Sequence, residues 1–170
     1  MIILDNREIK LIELIKSYPG GLKIPYQIQN LLIGDITITH QIQKTNTPLT
    51  IKPDETAISP EIKYTIIIER KTVCDMIASI KDGRYKEQKM RLVSFMKEIP
   101  TKRRIAYILE GDPYAPASTF CSENDKNTIL GFLVSSNLRD GIPVFHSKDR
   151  YSTQKIIEKL STRLMKDNKD

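Results

Sequence analysis

Glu69, Arg70 and Lys71 stand together at the end of the apolar run Tyr64–Ile68, and Asp75 follows four residues after Lys71. The run is dense in β-branched side chains, which reads as a strand buried on both faces. Side chains alternate along a strand, so Glu69 and Lys71 point to one face and Arg70 to the other. After Lys71 the period changes. Thr72 can cap a helix, and Val73, Met76, Ile77 and Ile80 recur at helical spacing, which puts Asp75 in the first turn, close to the strand end. Carboxylates are the ligands Mg²⁺ prefers, and it takes one or two from a protein while keeping water and phosphate as its others. A lysine beside them can orient or deprotonate an attacking water, or offset charge on a pentavalent phosphorus. The set suits phosphodiester hydrolysis. A plainer reading is open too, with Thr72–Asp75 a capping box, T-x-x-D, and Glu69–Lys71 a surface pair.

The elements that must position these groups fit one domain. At 170 residues the chain is long enough for one proper core and short for two, so 1–170 reads as a single domain. Hydrophobic and charged fractions of 39% and 28% are those of a globular protein. The apolar start Met1–Leu4 is broken at once by Asp5, Arg7 and Glu8, which excludes a signal peptide, and no stretch approaches a membrane span. Two cysteines, Cys74 and Cys121, suggest a reducing, intracellular compartment and neither a disulfide framework nor a zinc site. His40 and His146 are isolated and read as structural. Net charge is +6, and residues 81–104 alone hold nine Lys or Arg against three acids. All the excess charge therefore follows the acidic cluster directly, which favours a polyanionic partner.

In chain order, Ile2–Asp5 reads as a buried strand, and a helix capped by Asn6 runs to about Tyr18 before Pro19-Gly20-Gly21. Asp5 and Glu8 fit helix-start acids answering the dipole. A strand near 24–29 and the alternating Ile36-Thr37-Ile38-Thr39 form an expected hairpin, with Asp35 on the polar face opposite Ile36 and Ile38. Residues 40–62, with Pro48, Pro53 and Pro60, read as a long irregular insertion. A helix over 85–99 carries Tyr85, Leu92, Phe95, Met96 and Ile99 on one side, and Arg84, Gln88 and Arg91 form a strip beside it. A buried strand over 104–110, a helix from Asn124 or Asp125 to about Leu138, a strand over 142–145 and a last helix from Ser152 complete an α/β pattern. Its expected architecture is a mixed central sheet flanked by helices.

ERKTVCD resembles the ERK-x-x-x-D signature of the XPF family of structure-specific DNA endonucleases. SIKDGRYKEQKMRL is similar to the DGR-[FY]-x-EQK-x-RL run of that family's crossover-junction branch. Gly34-Asp35 matches its Gly-Asp element and LDNRE its LD-x-RE, so the resemblance covers nearly the whole chain. It implies a restriction-endonuclease-like fold and Mg²⁺- or Mn²⁺-dependent cleavage of branched DNA, such as flaps, forks and nicked or four-way junctions, in repair or recombination. Asp35 and Glu69 would hold the metal with the carbonyl of Arg70, Lys71 would act on the water, and Asp75, Asp5 and Glu8 would tune the site or bind a second ion. Arg70, Arg84, Gln88 and Arg91 would hold the DNA backbone. The last strand and its flanking helices would form a homodimer or heterodimer interface, and a eukaryotic member would be nuclear.

Most members carry a tandem helix-hairpin-helix module after the nuclease domain. This chain ends at Asp170 without room for one, as a minimal nuclease or an excised domain would. The rival reading from another class is a non-catalytic DNA-binding partner subunit. Such degenerate members lose the acidic signature, which is intact here. A nuclease acting on RNA or on unbranched duplex also fits the residues.

Overall fold

Strand alternation and helical spacing resolve, in a computed structural model, into six strands and five helices among the described residues 1–17, 21–42, 61–97, 102–114 and 122–166. In chain order they are β1 (Ile2–Asp5), α1 (Ile9–Ser17), β2 (Tyr26–Gln29), β3 (Ile36–Ile42), β4 (Glu61–Thr72), α2 (Val73–Lys81), α3 (Arg84–Lys97), β5 (Lys102–Glu110), α4 (Glu123–Val134), β6 (Val144–Ser147) and α5 (Arg150–Lys166). A π-helical turn, Ser135–Arg139, extends α4. The strands form one sheet in the order β2-β1-β3-β4-β5-β6. β3 runs antiparallel to β1 and β4, and the other neighbours are parallel. This is the expected mixed sheet flanked by helices.

Each face of the sheet buries its own apolar cluster. Ile36, Ile38 and Ile68 pack with Leu11, Ile12 and Ile15 of α1 and Ile157 of α5. Ile67, Tyr107 and Leu109 pack on the other face with Met76 and Ile77 of α2, Leu92 of α3 and Phe132 of α4. The central strand β4 is covered on both faces, as its unbroken run of Ile requires. Alternation then fixes the strand end. Glu69 and Lys71 continue the Ile67 side, toward α2 to α4, and Arg70 continues the Ile68 side, toward α1 and α5.

Three expectations change. β2 and β3 are not a hairpin, because β1 lies between them and pairs with both. The insertion expected over 40–62 is shorter, since β3 continues to Ile42 and β4 begins at Glu61; residues 43–60 lie outside the described residues. α1 begins at Ile9 rather than after Asn6, because the Asn6–Arg7 turn is bent back by Asp5 and the Glu8 carbonyl is the first to accept helical N–H groups, those of Leu11 and Ile12. α2 forms where Thr72 was expected to cap it. α4 is capped by Ser122, whose side chain and that of Asp125 satisfy each other's backbone N–H.

Candidate active site

Asp35 reaches its place through the backbone on both sides. Its N–H donates to the Ile68 carbonyl at 2.9 Å, and its carbonyl accepts the Asp5 N–H at 2.8 Å. Gly34 before it has φ +71°, and a Cβ there would stand 2.6 Å from Ile67 Cγ2 and 3.2 Å from the Ile68 carbonyl oxygen. Only glycine lets the chain turn this close to β4. The Asp35 carboxylate, on the same sheet face as Glu69, accepts the Arg70 N–H at 2.7 Å. Burial first, and the Glu69 charge second, push the Asp35 carboxyl up to about 7. Lys71 Nζ donates to Glu69 Oε1 at 3.3 Å.

These three side chains open on a cleft of ≈ 290 Å³, also lined by Arg7, Leu32, Ile33, Gly34, Gln88, Arg91 and Leu92. α3 is seated over that cleft by aromatic packing. Tyr85 meets Phe132 edge-on at 5.4 Å between ring centroids, and Tyr107 meets Phe132 at 5.5 Å. Leu92 fills the core beneath the helix, so Gln88 and Arg91 come to the rim.

The other residues singled out from the sequence divide differently. Asp5 is fully buried and saturated, taking the Arg7 N–H at 2.8 Å, Arg7 Nε at 2.7 Å, a second Arg7 nitrogen at 3.0 Å and the Leu31 N–H at 2.8 Å. It fixes Arg7 and the 31–34 segment instead of offering a ligand. The Arg70 side chain, expected on the DNA backbone, is 11% exposed and paired with Glu8 at 2.9 Å and Glu110 at 2.8 Å on the face away from the cleft. Burial opposes the Arg70 charge, and these two carboxylates keep it. Glu8 is taken up by this pair, its carboxyl raised chiefly by burial. Asp75 is exposed; its N–H donates to the Thr72 hydroxyl at 3.1 Å and its carboxylate accepts from that hydroxyl at 2.7 Å, so Thr72 caps the helix through its side chain without the reciprocal bond of a capping box. Arg84 turns back to Asp82 at 2.6 Å and stays out of the cleft, unlike Gln88 and Arg91 on its strip. Lys81 and Lys89 are likewise paired, with Asp125 and Asp140. Lys81, Arg84 and Lys89, three of the nine basic residues of the run, are thus engaged by acids within the fold.

Arg7 is the cleft residue that the sequence reading missed. Its guanidinium is two-thirds exposed, fixed by Asp5, and feels the charges of Asp35 and Glu69. An arginine two residues beyond a strand-end aspartate, close enough for one guanidinium edge to bind its carboxylate through two nitrogens, was the available signal.

Asp5 carries a pH prediction. The Arg7 hydrogen bond first holds its carboxyl below the ordinary 3.8, against burial. A lowered carboxyl adds stability that is present above the unfolded value and lost as pH falls through the folded one. The stability gap between wild type and Asp5→Asn should be full near neutrality and close below 3.8. Urea melts across that range would show it, and a pH-independent gap would contradict it.

A family model for the ERCC4 domain matches residues 4–160. Crossover junction endonuclease MUS81 of Oryza sativa subsp. japonica is 32% identical over 116 residues, 66% of this chain and 15% of that protein. ERCC4 domain-containing protein EP364R of African swine fever virus (isolate Pig/Kenya/KEN-50/1950) is 27% identical over 166 residues, 92% of this chain and 39% of that protein. The solved structure of XPF from Aeropyrum pernix matches with a TM-score of 0.65 at 21% identity, over 96% of this chain and 64% of that one, a likeness of fold. The chain thus spans a minor part of the curated relatives it matches. With the family model covering nearly its whole length, it belongs to the ERCC4 domain family, near the crossover-junction branch.

Proposed function

We propose that this chain is the nuclease domain of a metal-dependent, structure-specific DNA endonuclease that hydrolyses phosphodiester bonds at flaps, forks or junctions. The carrying observation is one cleft in which Asp35 and Glu69 sit with Lys71, rimmed by Arg7, Gln88 and Arg91. The Oryza sativa relative named as a crossover junction endonuclease supports the reading.

The donor set fits Mg²⁺ or Mn²⁺. Among the described residues no group of three or more His, Cys, Asp or Glu could hold an ion, which argues against zinc-type or fully caged sites. Burial and the neighbouring Glu69 charge raise the Asp35 carboxyl, and two carboxylates lie within the one or two that Mg²⁺ takes from a protein, with phosphate and water completing its shell. Asp35 and Glu69 would hold it with the Arg70 carbonyl. When bound, the ion supplies a polarised phosphate and an activated water.

The chain's own groups do the rest. Lys71, paired with Glu69, donates, so it offsets charge developing on the phosphorus oxygens and orients the water; proton abstraction is the weaker role for a paired ammonium. Arg7 and Arg91 seat the phosphates beside the scissile one, with Gln88 between. Arg70 and Glu8 brace the strand end behind. In a eukaryotic host the site of action is the nucleus. Val134 and Leu138, exposed at the end of α4, suit the dimer face that the family resemblance implies. No helix among the described residues is long and apolar enough to cross a membrane.

Cleavage of end-labelled flap, fork, nicked and four-way substrates with Mg²⁺ tests the reading, against unbranched duplex and RNA. Preferential cutting near the branch supports it; cutting of unbranched duplex or RNA alone rejects it. The phosphate assignment has its own test, binding of non-cleaving Asp35→Asn to one flap across a salt series. Adding Arg91→Ala should lower the slope of log affinity against log salt by roughly 0.9. Adding Arg84→Ala should leave it unchanged, because that guanidinium is turned onto Asp82. Equal slopes for both would move the DNA path away from the cleft.

A further inference from the structure

Leu32 is 98% exposed at the rim of the cleft that holds Asp35, Glu69 and Lys71. Single exposed leucines are ordinary on a surface, and a loose one folds back onto its neighbours. Leu32 has little freedom to do so. Leu31 donates its N–H to the buried Asp5 carboxylate at 2.8 Å, and its carbonyl accepts from Arg7. Ile33 packs into the apolar cluster beneath, and Gly34 is locked against Ile67. The backbone is pinned on both sides, so the isobutyl group is held outward over a polar, cationic cleft.

What covers it must follow from what the cleft takes. Arg7, Lys71 and Arg91 suit a strand's phosphates, and the nucleotide attached to a seated phosphate then comes within reach of the rim. Inside a duplex both faces of a base are already stacked. An unstacked base has a free apolar face, which an aliphatic side chain can cover sequence-independently. Resting on the function proposed above, we infer that Leu32 caps the exposed face of an unpaired nucleobase at the branch, making it a specificity-determining contact that favours branched over unbranched DNA.

The probe is a flap carrying 2-aminopurine at the branch nucleotide, whose fluorescence rises when the base loses its stacking neighbours and is held apart. In the Asp35→Asn background, binding should raise the signal. Adding Leu32→Ala should remove most of the rise and reduce the preference for flap over duplex by about tenfold, the scale for losing the burial of roughly two methyl or methylene groups. The salt slope should stay the same, since no phosphate contact is removed, and Leu32→Met should restore the signal. Matching melts of the variants keep a folding defect out of the comparison. A full rise with Leu32→Ala overturns the contact and leaves the endonuclease reading intact. Equal loss for flap and duplex overturns it too, since Leu32 would then only support its loop. If the chain neither binds nor cuts branched DNA, the functional reading fails and the contact fails with it.

Discussion

Asp35→Asn is expected to lower cleavage by about 10³-fold or more, on the scale of losing a group that acts on transition-state charge. It should do so without unfolding the chain. The amide oxygen can still accept the Arg70 N–H, and the backbone bonds to Ile68 and Asp5 are untouched. The sign of the stability change follows from the titration. A carboxyl raised to about 7 contributes stability that is complete below 3.8 and lost as pH rises through that folded value. Above pH 7 the metal-free wild type therefore holds two mutually repelling carboxylates, and Asp35→Asn should melt at an equal or higher temperature. Glu69→Gln should lose activity comparably. Thermal melts paired with single-turnover cleavage at pH 8 would decide. A folded Asp35→Asn that cuts at the wild-type rate would remove Asp35 from catalysis, and one that melts well below wild type would make it structural.

Arg70→Ala is expected to lower folding stability by about 3–5 kcal/mol, the cost of breaking a buried ion pair from one side. The guanidinium sits between Glu8 and Glu110, and Glu110 also accepts the Thr153 hydroxyl at 3.0 Å. Removing it strands two carboxylates that are 15% and 10% exposed and binds α1, β5 and α5 less firmly behind the cleft. Replacing all three together, as Arg70→Met with Glu8→Gln and Glu110→Gln, should recover much of the loss, since the penalty lies in uncompensated charge. Urea denaturation measures this directly. Were Arg70 instead a DNA contact, Arg70→Ala would keep its stability and lose salt dependence in binding.

The contrast between Arg70 and Lys71 shows what the sequence made legible. Strand alternation alone placed Glu69 and Lys71 on one face and Arg70 on the other, and the fold agrees. It could not say that the Arg70 face is closed by Glu110, because that acid lies forty residues on and meets Arg70 only through the parallel pairing of β4 with β5. The Gly34-Asp35 pair was readable as the family's Gly-Asp element, and the reason for glycine, close approach to Ile67 and Ile68, is tertiary. The strip Arg84, Gln88 and Arg91 is a correct helical spacing. Even so, the local Asp82 claims Arg84, because a helix-start turn brings its carboxylate within 2.7 Å of Arg84 Nε. The β2–β3 hairpin failed for a similar reason: adjacency in sequence suggested pairing, and β1 inserted between them. Asp5 and Asp75 were expected to tune the site or bind a second ion; Asp5 is fully taken up by Arg7 and Leu31, whereas exposed Asp75 is engaged by the Thr72 hydroxyl through one oxygen.

In the proposed mechanism Asp35 and Glu69 would share one divalent cation in the cleft they line. Paramagnetic broadening of backbone amide resonances by Mn²⁺ measures this on the unmodified chain, whose 19.5 kDa suits solution NMR. The amides of residues 34–36 and 69–71, with Arg91 across the cleft, should broaden first. Asp35→Asn should abolish that pattern while the rest of the spectrum stays in place. Broadening centred on other acids, or an unchanged pattern in Asp35→Asn, would contradict a shared cation at Asp35 and Glu69.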